Sequence, residues 1–223
     1  MANNDSENQT NLDGGGVPHP AAVSFVTTEH FTLQGARSAT IGEATGRASM
    51  FLGAVSGGLV GLGLVATATG VGAAFSAFGL ILLPTLAFVG LVTFDRTLQS
   101  GIEDYNYAQR SARLRGYYFQ YAPELVDYLL SVPPGQRLNI QGLRGGSWQP
   151  FVTVAGMVSV VTAVLAGSAA GLLAALVSGQ PLVAALIAGI LVAIAVLVVL
   201  MRRQTAAWHR VDKAPLFSDE QIS

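Results

Sequence analysis

An all-α membrane protein is the fold class this sequence predicts: four transmembrane helices arranged as two hairpins, with a central cytoplasmic helical module between them. Three observations predict it. Two long uncharged runs, Ala48–Phe94 and Gly145–Met201, flank a polar middle. Each is long enough to cross a bilayer twice, since one crossing takes about 20 residues at about 1.5 Å of rise per residue. Charged residues make up only 11% of the chain and hydrophobic ones 51%, against the roughly 25% charge of soluble domains. The apolar runs are also continuous rather than alternating, which favours spanning helices over barrel strands.

The elements follow in order. Residues 1–27 are polar and interrupted by Gly14-Gly15-Gly16 and Pro18-His19-Pro20; too little apolar surface is present to fold, so a disordered cytoplasmic tail is expected. Residues 28–49 are free of proline and predict a juxtamembrane helix, either along the membrane surface or running into the first span. Thr27 or Thr28 would cap it, and Glu43 stands four residues before Arg47 in the favourable order. Residues 50–94 form the first transmembrane hairpin, turning near Thr69-Gly70-Val71-Gly72. Pro84 lies inside its second helix, where the missing N–H leaves the Leu80 carbonyl unpaired and predicts a kink.

Residues 95–149 form the middle module. It carries all six tyrosines and six of the twelve Lys/Arg residues, and from Asp95 the second spanning helix is expected to continue into it. At 100° per residue Leu98, Ile102, Tyr105, Ala112, Gly116 and Phe119 gather on one side. Glu103, Asn106, Arg110, Arg113, Leu114 and Tyr117 gather on the other, as in an amphipathic helix. Pro123 starts a short second helix over Glu124–Leu130, Val132-Pro133-Pro134-Gly135 stops it, and Trp148 marks the membrane interface. Residues 150–201 form the second hairpin, turning at Ser178-Gly179-Gln180-Pro181, and residues 202–223 a cytoplasmic tail. All twelve Lys/Arg residues lie outside the spans and their two turns. The positive-inside rule therefore places both termini and the middle module in the cytoplasm, beneath a plasma membrane.

Small residues recur at four-residue spacing within the spans: Gly53, Gly57 and Gly61 in the first, Ser159, Ala163, Gly167, Gly171 and Ala175 in the third, Ala185, Gly189 and Ala193 in the fourth. Small side chains let helix backbones approach closely, which drives helix association in lipid. The same stripes serve an internal four-helix bundle or a homo-oligomer; three of them together favour the oligomer.

Several chemistries find no home. The absence of cysteine excludes disulfides, thiolate metal sites and cysteine nucleophiles. The spans hold no ionisable residue, whereas coupled transporters keep such groups near the midplane. Their hydroxyls, Thr67, Ser76, Thr85, Thr93, Ser159, Thr162 and Ser168, are of the kind that bonds its own helix backbone. Gly61-Leu62-Gly63-Leu64-Val65-Ala66 fits a dinucleotide fingerprint on paper, but the fingerprint needs a strand, a turn and a water-accessible phosphate. Asp95, Glu103 and Asp104 are too few for an oxygen-liganded metal and have Arg96 at hand. His19, His30 and His209 are scattered. Net charge near −1 argues against nucleic acid. No enzyme and no cofactor is expected.

One constellation remains. Arg110, Arg113 and Arg115 with Tyr117 are candidate contacts for phosphate, whether of lipid headgroups or of a soluble anionic ligand gripped by guanidinium and ring. The function expected is a non-enzymatic membrane scaffold or effector. It would self-associate through its small-residue stripes and dock a cytoplasmic protein or anionic ligand through the middle module. The alternative is an oligomeric pore. The run Thr27–Gly63, TTEHFTLQGARSATIGEATGRASMFLGAVSGGLVGLG, and the shorter YAPELVDYL resemble small membrane proteins from actinobacteria. That resemblance implies a four-helix membrane architecture and no activity.

Overall fold

A computed structural model describes residues 20–121, 153–178 and 182–213. They form four helices: α1 (Pro20–Thr69), α2 (Ala73–Tyr121), α3 (Val154–Ser178) and α4 (Leu182–Lys213). Each is long and apolar enough to cross a membrane. The short helix expected over Glu124–Leu130, its proline stop, Trp148 and the residue 179–181 turn lie outside the described residues.

Helix boundaries depart from expectation at two places, and one open alternative is settled. α1 already begins at Pro20, so the last residues of the expected disordered tail are helical; proline suits a first turn, where its missing N–H has no partner to lose. The juxtamembrane segment 28–49 is continuous with the first span, within one 50-residue helix. α4 likewise runs past Arg202-Arg203 to Lys213, into what the sequence suggested was tail. Nothing in Gln204–Lys213 breaks a helix, and Leu200, Gln204 and Trp208 continue one side of it.

The chain reverses between α1 and α2 at Gly70, which takes a φ of 70°, a left-handed conformation that glycine adopts at a helix C-terminus without steric cost. Thr69 donates its hydroxyl to the Val65 carbonyl at 2.8 Å, closing the last turn. α2 continues unbroken through Pro84, whose ring stands exposed. The expected kink site therefore causes no break in the helix.

α2 is the central helix. α1 packs along one side of it and α3 along another, while α4 packs on α3 and reaches α2 only near its polar end. The shared core runs through Ala48, Phe51 and Val55 of α1, Leu83, Leu86, Ala87, Phe94 and Leu98 of α2, Ala155, Val158 and Leu165 of α3, and Leu200 of α4. Gly90 marks the tightest point. A Cβ there would collide with the Thr162 hydroxyl of α3 and lie 2.9 Å from the Phe51 ring of α1.

Between α3 and α4 the backbones themselves touch. A Cβ on Gly167 would fall 2.5 Å from the Gly189 carbonyl oxygen and 2.7 Å from the Ala193 Cβ. One on Gly171 would fall 3.1 Å from the Ala185 carbonyl oxygen, and one on Gly189 would fall 2.8 Å from that of Gly167. The stripes of the third and fourth spans thus serve each other within one chain. The first behaves differently. A Cβ on Gly61 would lie 3.8 Å from the Phe78 ring, whereas Gly53 and Gly57 face open space, as do Gly35, Gly42 and Gly46. At 100° per residue these five occupy the side of α1 opposite its buried Leu33, Thr40, Ala44, Ala48, Phe51 and Val55.

Most of the apolar surface points outward. Only 11% of the apolar window of α1 and 33% of that of α2 is buried, and Leu64, Ile81, Phe88 and Leu191 are each more than 60% exposed. An apolar surface of this extent suits lipid rather than water. The hydroxyls behave as lipid requires: Thr67, Thr85, Thr93, Ser159 and Thr162 each donate to a carbonyl of their own helix at 2.7–2.9 Å.

Candidate functional site

Polar chemistry collects at one end of the bundle, where α1 before Met50, α2 after Phe94 and α4 after Met201 come together. Charge could not enter the apolar section without neutralisation or a partner, so the residues that leave that section are the ones free to carry it. α1 and α2 run alongside each other here as an antiparallel pair. Arg37 clamps them: its Nε donates to Asp104 Oδ1 at 2.7 Å and its Nη2 to Oδ2 at 3.3 Å. The two side chains are only about a fifth exposed (21% and 23%). This two-point geometry sets the register of the pair, because a planar guanidinium fork matches a carboxylate in one arrangement.

α4 joins at the base. Arg203 Nη2 lies 3.4 Å from Asp95 Oδ1; this exposed pair contributes little energy but shows that the two residues share a level. Further out, Trp208 meets Tyr105 edge to face, with ring centroids 5.8 Å apart at 89°. Gly101 faces the same indole: a Cβ there would lie 3.7 Å from it, an ordinary van der Waals contact. The acidic cluster therefore divides among three fates. Asp104 belongs to Arg37, Asp95 to Arg203, and Glu103 is exposed. Arg96, the partner expected from the sequence, instead donates to Gln99 Oε1 at 3.3 Å.

The start of α3 is tied into this end by a buried amide. Gln204 of α4, 1% exposed, donates Nε2–H to the Thr153 hydroxyl at 3.0 Å, and the same oxygen accepts the Gly156 N–H at 3.0 Å. Thr153 is thus the N-cap of α3 and a contact to α4 at once. Thr153→Ala is expected to destabilise the bundle by about 1–2 kcal/mol, through the lost cap and the buried amide left short of an acceptor. Thr153→Ser should restore most of it. Thermal unfolding of the three proteins in one detergent checks this, and equal midpoints would refute it.

Of the expected site residues, Arg110 and Arg113 are exposed on α2. Arg115 and Tyr117 belong to its last turns, where backbone alone is described. Of the two faces read from the sequence, Leu98 and Tyr105 are buried and Ile102 and Ala112 half-buried, while Glu103, Arg110 and Arg113 are exposed and Asn106 is half-buried. Leu114, grouped with the polar face, is half-buried. Gly61-Leu62-Gly63-Leu64-Val65-Ala66 lies within the last turns of α1, without the strand and turn a dinucleotide site requires.

Arg37, Gln204 and Thr153 were not among the expected site residues. Thr153 had a legible signal, a hydroxyl residue directly before an apolar run. Gln204 had a fainter one, its four-residue spacing from Leu200 and Trp208. Arg37 had none, because its partner is remote in sequence. Compared with protein-family models, curated proteins and solved structures, the chain matches none of them.

Proposed function

We propose that the chain is a non-enzymatic membrane scaffold: two hairpins cross a plasma membrane, both termini are cytoplasmic, and the middle module presents a docking surface for a cytoplasmic protein or anionic ligand. One observation carries this reading. α1 and α2 continue as a single paired stalk well past the apolar section, clamped by Arg37 and Asp104. At about 1.5 Å per residue, each of these helices extends to roughly 75 Å, more than twice the ~30 Å of hydrocarbon it has to cross. A chain that only needed to span would not hold an ordered pair so far beyond the bilayer. Arg110 stands exposed on that stalk, where a phosphate or carboxylate brought by a partner would meet it.

Self-association belongs to the same reading and is assigned to α1. Gly167, Gly171 and Gly189 are already occupied within the chain, while Gly53 and Gly57 are open and lie in the section that lipid would surround. A second copy placing its own α1 there gains close backbone packing. The pore alternative has less to build on, since the hydroxyls of Thr67, Thr85, Thr93, Ser159 and Thr162 bond their own backbones.

The protein contains no cysteine, so single cysteines report without background. Gly53→Cys and Gly57→Cys are expected to form disulfide dimers in native membranes, and Gly167→Cys none. A cysteine at residue 70 should react with an impermeant maleimide in intact cells, and one at residue 109 only after lysis. Labelling of residue 109 in intact cells would overturn the orientation, and dimers from Gly167→Cys alone would overturn the interface.

A further inference from the structure

The position of the arginines along the helices, rather than their number, separates two kinds of anion contact. Arg110 lies fifteen residues beyond Asp95 on the same unbroken helix, which is about 22 Å of rise. The headgroup layer on one side of a bilayer is only about 5–8 Å deep. Arg110 and Arg113 are therefore out of reach of headgroups for any α2 that crosses near the membrane normal.

A different set stands at the right height. Asp95 and Arg203 share a level because they pair, and this brings Arg96 and Arg202, their sequence neighbours, to the same height on α2 and α4. On α1, Arg37 is level with Asp104; ten residues toward the turn on each helix brings Arg47 level with Phe94. Arg47, Arg96, Arg202 and Arg203 are all exposed and ring the bundle where its apolar section ends.

Their charges are not equally available. Arg47 is held by Glu43 at 2.8 Å and Arg203 by Asp95 at 3.4 Å. Arg96 bonds a neutral amide, and Arg202 has no carboxylate within ion-pair distance among the described residues. The four arginines and two carboxylates of this level leave a net charge of +2, carried by Arg96 and Arg202 beside the α2–α4 contact.

We propose that Arg96 and Arg202 hold the phosphate of an anionic phospholipid headgroup at this contact. A zwitterionic headgroup brings its own cation and gains little from the surplus. An anionic headgroup leaves a net negative charge for the two guanidiniums, each of which offers two donors to a phosphate. The proposal rests on the membrane placement above and concerns lipid, not the docking partner of the stalk.

The test uses the full-length protein reconstituted in bilayers containing spin-labelled phosphatidylglycerol or phosphatidylcholine, with the relative association of each lipid measured at low salt. The parent is expected to favour phosphatidylglycerol, by up to about fivefold per free arginine for a basic residue at an anionic surface, and less in high salt. Arg96→Gln/Arg202→Gln should bring the two lipids close to equal association, while Arg110→Gln/Arg113→Gln should leave the parent preference unchanged. Equal association in the parent, or a loss that follows Arg110 and Arg113, would overturn the proposal. Failure of the chain to enter bilayers at all would instead overturn the membrane placement, so the two outcomes are distinct. All four side chains are exposed, and unchanged helical circular dichroism confirms that each variant is folded.

Discussion

Replacing Gly90 with leucine is expected to abolish the packed bundle rather than merely soften it. Gly90 is where α2 is pressed from both sides, and its missing side chain is the space occupied by the Thr162 hydroxyl and the tip of the Phe51 ring. Thr162 is fully buried and its hydroxyl bonds the Val158 carbonyl at 2.7 Å, so it cannot swing away without losing that bond. Phe51, 2% exposed, is enclosed in the core shared by the three helices. Relief therefore requires moving α1 or α3 bodily. The cost should exceed the ~1–3 kcal/mol usual for an over-packed core, where side chains alone adjust. In lipid the loss is felt fully, because helix association there depends on close packing and not on removing apolar surface from water. Gly90→Ala should lie between parent and leucine variant. Unfolding by SDS titration, followed by near-ultraviolet circular dichroism, measures the series; a leucine variant that unfolds with the parent would show that the three helices do not meet at this point.

The second large effect is a contrast between stripes that look alike in the sequence. Gly167→Leu and Gly189→Leu should each destabilise the monomer by about 3 kcal/mol or more, since a Cβ at either position meets a carbonyl oxygen at 2.5–2.8 Å and backbone cannot give way as a side chain can. Gly57→Leu, facing open space, should leave monomer stability within about 0.5 kcal/mol of the parent. Its effect should fall on the association of copies, visible as lost cross-linking through a cysteine at residue 53. Equal destabilisation by Gly57→Leu and Gly167→Leu in a monodisperse detergent preparation would contradict this division.

Small-residue spacing was readable without the structure, but its use was not. A Gly-xxx-Gly pattern reports that one face of a helix is thin; it does not report what lies against that face. The stripes of α3 and α4 meet because the two helices are adjacent in the chain and each supplies what the other accommodates. That of α1 is turned outward because Phe51 and Val55 have already committed the opposite side to α2. The arginine–tyrosine constellation shows the same limit. The exposure of Arg110 and Arg113 was visible in the helical period, but their height above a membrane depends on α2 running unbroken from Ala73 to Tyr121. Under the proposed membrane placement, that continuity puts Arg110 and Arg113 beyond headgroup reach, and the headgroup contact is proposed at Arg96 and Arg202 instead.

Local chemistry decided much of this protein before any folding. Uncharged runs of this length demand four helices able to cross a membrane, the exclusion of charge from lipid gathers the arginines and carboxylates outside them, and Gly70 supplies the one left-handed residue the first reversal needs. These are properties of segments, each satisfied within a few turns of the chain. The tertiary structure decided what depends on two segments at once. It made α2 the central helix, paired Arg37 with Asp104 across 67 residues of sequence, seated Trp208 on Tyr105 and Gly101, and joined Gln204 to the cap of α3. Such choices rest on which surfaces are complementary in shape and charge when brought together, and a pattern along one helix carries no record of the surface that will face it.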